Sequence, residues 1–203
     1  MCGIAGYFNP DQNYAENPKQ NFHTLSRMIN TMNHRGPDTY GHTIINSCCL
    51  AHTRLSIIDL ENGRQPMSYT KDGNTYYIVY NGEIYNYKEV KKTLLRKNYT
   101  FETNSDTEVI IAAFCHYGPG FVKELNGIFA IAIYDSMRNT LYLYRDRFGV
   151  KPLYYTKTGD TLVFASRIDT LFEYPRVRPC IDMNSFNEIF SLGPAKTYGK
   201  GVF

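Results

Sequence analysis

Met1-Cys2-Gly3-Ile4-Ala5-Gly6-Tyr7-Phe8 opens the chain, and the rest of the molecule is organised around it. From Cys2 to Phe8 the residues read as a strand that carries the N-terminus to the end of a sheet. If Met1 is removed, Cys2 presents a thiol and a free primary amine on one residue, with Gly3 read as a flexible link behind it. The thiolate is the attacking form of cysteine, with an ordinary pKa near 8.5, and an α-amino group titrates near 7.7 to 8.0. Moving the proton from sulfur to nitrogen therefore costs only on the order of 1 kcal/mol, and no histidine is needed as base. Taken alone, the residue reads more simply as a small buried hydrophobe behind a retained Met1.

Composition narrows the alternatives. A chain of 203 residues suits one large domain with a substantial core. Its 22 basic residues against 19 acidic ones leave a net charge of +3, too weak and too dispersed to argue for nucleic acid or an anionic membrane. The run Ile4 to Phe8 is too short and lacks the basic leader of a signal peptide, and no apolar run reaches the roughly 18 residues of a membrane span. A cytoplasmic protein is expected. Five cysteines, Cys2, Cys48, Cys49, Cys115 and Cys180, show no C-x-x-C spacing, so reduced thiols are expected rather than a disulfide framework or a zinc site. The five histidines form no metal-ligand pattern. Eighteen tyrosines and twelve phenylalanines, recurring at alternating positions, point to a strand-rich, mixed fold.

Along the chain, Asn9 to Gln20 reads as a polar loop, and Leu25, Met28, Ile29 and Met32 then mark one face of an amphipathic helix. His34-Arg35-Gly36-Pro37-Asp38 is a turn-forming loop. Two strands are expected between Ile44 and Ile58, the second from Ala51 to Ile58, where Arg54 and Ser56 share one face and Leu55 and Ile57 the other. An arginine in so apolar a strand requires an anion, either a structural carboxylate or a ligand. Glu61 to Pro66 reads as a loop before a strand at Tyr76 to Tyr80. In Tyr80-Asn81-Gly82-Glu83-Ile84-Tyr85, Asn-Gly between alternating apolar residues is a hairpin signal that a plain turn would explain. Asn86 with Glu89, and Ser105 with Glu108, have capping-box spacing before helices through Lys97 and Tyr117, and Asp106 would compensate the second helix's dipole. Strands and tight turns are predicted from Gly127 to Ala165, with short helices at Ile168 to Phe172 and Asn184 to Phe190.

In order along the sequence stand MCGIAGYF, HRGPD (34–38), RLSIIDL (54–60), QPM (65–67), NGEIYNY (81–87), SDTEV (105–109), NGIFA (126–130), RDRFGVKPLYY (145–155) and FAS (164–166). Together they resemble the N-terminal glutaminase domain of glutamine-dependent asparagine synthetases, which belongs to the N-terminal-nucleophile hydrolases. The resemblance implies an α+β fold, a four-layer αββα sandwich of two antiparallel sheets. It implies that Cys2 attacks the side-chain amide of glutamine, that Asn81 and Gly82 hold the oxyanion through a tight Asn-Gly turn, and that Arg54 pairs with the substrate's α-carboxylate. Glu83 and Asp106 would receive its α-ammonium. The loop from Glu61 to Pro66 is a candidate cover for the site. Water would resolve the thioester to glutamate and ammonia.

The resemblance also implies one glutaminase domain over 1–203, with a core at about 2–190 and, from about 191, the start of a linker to a C-terminal synthetase domain. That domain would use ATP and magnesium to activate aspartate. No cofactor or metal is expected in this chain, which would release ammonia without making asparagine. The expected partners are glutamine and the synthetase domain, with a homodimer left open and neither nucleic acid nor membrane involved. Other N-terminal-cysteine amidotransferases and a catalytically silent glutamine-binding scaffold are the competing readings. The family usually has glutamate after FAS, where this chain has Arg167, a change that bears on inter-domain contacts and leaves the catalytic set intact.

Overall fold

A computed structural model describes residues 1–55, 63–180 and 182–192. The first sheet contains β1 (Gly3–Phe8), β2 (Thr39–Ile45), β3 (Cys48–Arg54), β8 (Tyr154–Thr158) and β9 (Thr161–Ala165) in the order β2-β3-β1-β9-β8. The second contains β4 (Met67–Lys71), β5 (Asn74–Ile84), β6 (Gly127–Asp135) and β7 (Thr140–Arg145), in sequence order. Every ladder is antiparallel.

Three apolar clusters show how the layers stack. Ala5, Tyr7, Cys49 and Ala51 face α1 (Pro18–Met32), against Leu25, Met28 and Met32. On the far side of the second sheet, Ile78, Tyr80, Ile131 and Ile133 meet Val90 and Leu94 of α2 (Tyr87–Leu95) and Val109 to Phe114 of α3 (Asp106–Tyr117). Between the sheets lie Ile4, Cys48, Leu50, Val79, Ala130, Ala132 and Phe164. Each large aliphatic side chain sealed there contributes about 1.5–3 kcal/mol. Helix, sheet, sheet, helix is the four-layer arrangement expected. Two further helices, α4 (Ile168–Leu171) and α5 (Met183–Leu192), follow β9, and among the described residues no helix is long and apolar enough to cross a membrane.

Several local expectations are corrected. Gly3 is not a flexible link. It is a buried strand residue, and a Cβ there would lie 2.7 Å from Thr53 Oγ1 and 2.9 Å from the Met32 sulfur, so the glycine supplies room. The polar loop at Asn9 to Gln20 contains a short 3-10 turn at Tyr14–Glu16 and the start of α1. The strand expected from Ala51 runs instead over Cys48–Arg54, while Ser56, Ile57 and Glu61 lie outside the described residues.

Asn81-Gly82 is no turn: both residues sit inside β5, opposite Ala130 and Phe129. The hairpin turn is Asp72-Gly73, with φ of 51° and 78°, between paired Lys71 and Asn74, the two positive angles a type I′ turn requires. Asn86 stands at the N-cap of α2 without a side-chain capping bond; its side chain instead ties down the approach to β6, donating to Glu124 O and accepting from Asn126 N, both at 2.9 Å. Ser105 does cap α3, accepting from Thr107 N at 3.1 Å, but Glu108 binds Glu102 N and Thr103 N, each at 2.8 Å, instead of closing the box.

Candidate functional site

The space between the sheets is apolar along most of its length and polar at one end. Alternation puts the side chains of i and i+2 on the same face of a strand. Three neighbouring strands change character together: Ile4 gives way to Cys2, Leu50 to His52 and Arg54, and Val79 to Asn81 and Glu83. Register explains why these ends coincide. Gly3 pairs with Thr53, so one step further Cys2 stands beside Arg54. The result is a pocket of about 170 Å³ lined by Cys2, His52, Arg54, Gln65, Asn81, Gly82, Glu83 and Asp106, together with Met1, Lys151 and neighbouring backbone. It is smaller than the ~300–1,000 Å³ of sites for drug-sized ligands, a volume on the scale of an amino acid. A larger hollow of about 730 Å³ between Asn33–His42 and Arg64–Pro66 holds none of the six residues singled out from sequence. All six line the smaller pocket.

Cys2 is half-buried, and its sulfur lies 3.7 Å from Leu55 O. Its carbonyl accepts from Arg35 Nε at 3.1 Å, which ties the N-terminus to the HRGPD loop. At Cys48, Cys49 and the half-buried Cys115 the thiolate is disfavoured. Burial pushes Cys49 and Cys115 up to about 12 and raises Cys48 well above the usual thiol range. Arg54 is 5% exposed at the end of β3. Its carbonyl accepts from Asp38 N at 3.1 Å, so the same loop braces it.

Asn81 is 2% exposed, and its side-chain Nδ2 is buried without a partner. Gly82 contributes through its backbone. Opposite it, Phe129 turns both its N–H and C=O to Asp146, so the Gly82–Phe129 pair is not hydrogen-bonded and Gly82 points its own groups toward the other edge of β5. That edge is open, because β4 ends at Met67, opposite Ile78. Tyr80 N on this edge donates to Gln65 Oε1 at 2.6 Å and Ile84 N to Asp106 Oδ2 at 3.3 Å. Between them Gly82 N–H has no partner among the described residues. A Cβ at position 82 would sit 2.2 Å from Ile128 O, so only glycine fits. An unpaired strand edge therefore offers the backbone donor that was expected from a turn.

Glu83 is exposed at the pocket mouth. Asp106 is 5% exposed, and its carboxylate also accepts from Tyr80 Oη at 2.9 Å. Burial raises its pKa above the ordinary value, partly offset by these hydrogen bonds. The pocket thus has a buried guanidinium in its wall, two carboxylates in its lining, two N–H donors without partners among the described residues and a half-buried thiol. Such a set can grip a zwitterion and present donors to a carbonyl oxygen beside a nucleophile.

Of the lining residues outside the six singled out from sequence, Gln65 and His52 bear most on the site. Gln65, part of QPM and of the loop expected to cover the site, bridges β5 and α3 by accepting from Tyr80 N and donating to Thr107 Oγ1 at 3.2 Å; nothing local in sequence reveals that reach. His52 was detectable, because it stands two residues before Arg54 on a strand and so shares its face. Arg167 lies outside the pocket, paired with Asp169 at 2.8 and 2.5 Å and with a His34 ring nitrogen at 2.8 Å.

The family model of the glutamine amidotransferase domain matches residues 1–203. The chain belongs to that family. Its sequence is 40% identical to asparagine synthetase [glutamine-hydrolyzing] 3 of Bacillus subtilis (strain 168) over the whole chain and 32% of that protein. To asparagine synthetase [glutamine-hydrolyzing] 2 of the same organism it is 45% identical over 86% of the chain and 23% of the relative. This amidotransferase domain therefore spans about a third or less of the length of these relatives. Among solved structures, the glutamine phosphoribosylpyrophosphate amidotransferase from B. subtilis superposes with a TM-score of 0.63 at 18% identity, over 83% of this chain and 42% of that one. The amidotransferase domain has the N-terminal-nucleophile hydrolase fold, two antiparallel sheets between helical layers.

Proposed function

We propose that this domain hydrolyses glutamine to glutamate and ammonia, with Cys2 as nucleophile after loss of Met1. With Met1 attached, the Cys2 nitrogen is an amide and cannot act as a base. Once freed, the amine takes the thiol proton and the sulfur adds to the carboxamide carbon. Negative charge gathers on the former carbonyl oxygen, within reach of Asn81 Nδ2 and the Gly82 N–H, both waiting without partners. The C–N bond then breaks, ammonia leaves with the proton held on the amine, and a thioester remains on Cys2. Water attacks the thioester, its proton passes to the amine, and the C–S bond breaks to give glutamate and free Cys2. Arg54 pairs with the α-carboxylate in a two-pronged contact, while Glu83 and Asp106 take the α-ammonium. Reading both charges holds the side-chain amide in register with the sulfur.

The observation that carries this reading is the buried, unpartnered Asn81 amide beside the open-edge Gly82 N–H, in one pocket with Cys2. Kinship with glutamine-hydrolysing asparagine synthetases supports the further proposal that the ammonia is destined for a C-terminal synthetase domain, where ATP and magnesium activate aspartate. A cytoplasmic location and a homodimer belong to the same proposal. The test is ammonia release from glutamine by the chain lacking Met1. Cys2→Ala should abolish it, whereas release at the parental rate by Cys2→Ala would end the reading, as would activity only in chains that retain Met1.

A further inference from the structure

His52 is 1% exposed and lines the same pocket, yet the mechanism above gives it no part. One ring nitrogen donates to the backbone carbonyl of Tyr80, the peptide unit that leads into Asn81. The other, Nε2, is buried without a partner. Because Nε2 has no partner, the contact with Tyr80 falls to Nδ1, which carries the proton and leaves Nε2 as a lone-pair acceptor. Burial pushes the imidazole down to about 3, so it stays neutral near pH 7 and Nε2 remains an acceptor.

Besides the Gly82 N–H, the pocket therefore holds, among the described residues, a buried side-chain donor without a partner, Asn81 Nδ2, and a buried side-chain acceptor without one, His52 Nε2. Each is unfavourable while unsatisfied, and a ligand that pairs with both gains by it. A primary carboxamide offers the complementary pair on one carbon, an acceptor C=O and a donor N–H. A carboxylate offers two acceptors, and its second oxygen would face the imidazole lone pair. An ester keeps the carbonyl and lacks the donor.

We infer that His52 Nε2 accepts a hydrogen bond from the N–H of the substrate carboxamide, making His52 the residue that distinguishes glutamine from glutamate and from γ-esters. The inference rests on the glutaminase reading and deepens it. It gives the site a means of expelling its own product: when the amide becomes a carboxylate, the donor disappears and His52 ceases to attract the ligand. Because the ring is tied to the Tyr80 carbonyl, it reads the amide from a fixed position relative to Asn81.

The experiment measures equilibrium binding of glutamine, glutamate and the γ-methyl ester of glutamate to Cys2→Ala protein, which cannot turn them over. With His52 present, glutamine should bind about tenfold or more tightly than either analogue, the value of one buried hydrogen bond. In Cys2→Ala carrying His52→Asn, the amide of Asn replaces the Nδ1 donor toward Tyr80 and removes the Nε2 acceptor. Glutamine should then weaken by about tenfold while the ester holds within about twofold, collapsing the preference. A purely structural role would weaken all three ligands alike and leave their ratios intact, which would overturn the inference. Equal binding of glutamine and the ester by protein that retains His52 would overturn it without any variant having to fold. Absence of glutamine binding to that protein would instead strike the glutaminase reading itself.

Discussion

Leaving the Asn81 amide buried and unpartnered costs about 1–3 kcal/mol in the free protein, a cost that a bound oxyanion would relieve. Asn81→Ala should therefore lower kcat for glutamine hydrolysis by about 10²–10³, with the pocket otherwise intact; steady-state ammonia release checks this, and an unchanged kcat would remove Asn81 from the chemistry. Asp106 supplies a pH test. Burial raises its pKa, so the carboxylate takes up a proton at a pH above the ordinary aspartate value of about 4, and the protonated form no longer attracts an α-ammonium. Glutamine affinity should fall as pH drops through that raised value, and Asp106→Asn should bind weakly with Asp106's part of the acid limb gone. The sign also fixes the effect on stability: a raised folded pKa favours the fold at low pH, and the contribution disappears as pH rises through the folded pKa. At this scale the sequence was informative, since Cys2, Arg54, Asn81, Gly82, Glu83 and Asp106 all line one pocket. His52 can be placed on the face of Arg54 by its two-residue spacing, but its role is legible only once its neighbours across the sandwich are known.

Among the connecting elements, the stretch after β7 is held by two side chains, Arg145, which donates to Gly149 O at 2.7 Å and Lys151 O at 2.9 Å, and Asp146. Asp146 accepts from the backbone N–H groups of Phe129, Phe148, Val150 and Lys151 at 3.0–3.2 Å. Burial works against its ionisation, but these four donors outweigh it and hold its pKa below the ordinary value. Asp146→Ala would strand several backbone donors and should destabilise the fold by about 2–4 kcal/mol, measurable by urea unfolding at neutral pH. Asp146's contribution is present above its unfolded pKa of about 4 and lost as pH falls through the depressed folded value; a variant as stable as the parent would refute the assignment. Element reading was sound where periodicity was local, as in α1 and the core of α3. It failed at Asn81-Gly82, where a sequence that favours a turn is overridden by a ladder to β6 some 50 residues away. Asp72-Gly73, the true hairpin, is faint in the sequence because β4 in front of it is short and half-exposed.

For the molecule as a whole, the mixed strand-rich character was legible from composition and alternation, whereas the packing of two sheets face to face was legible only through the motifs that resemble a known family. The reason is physical: which sheet faces which depends on long-range register, and in this chain register decides function too. Cys2 meets Arg54 because Gly3 pairs with Thr53. Gly82 presents its N–H because β4 stops where it does. The sandwich is an apolar scaffold whose three central strands turn polar at one end. The most direct test of the central claim is to treat the chain with a glutamine-shaped electrophile and locate the adduct by intact and peptide mass spectrometry. A single adduct on Cys2, in chains lacking Met1 and suppressed by excess glutamine, is the result predicted; labelling of Cys115 or Cys180 instead, or of Cys2 with Met1 still attached, would contradict it.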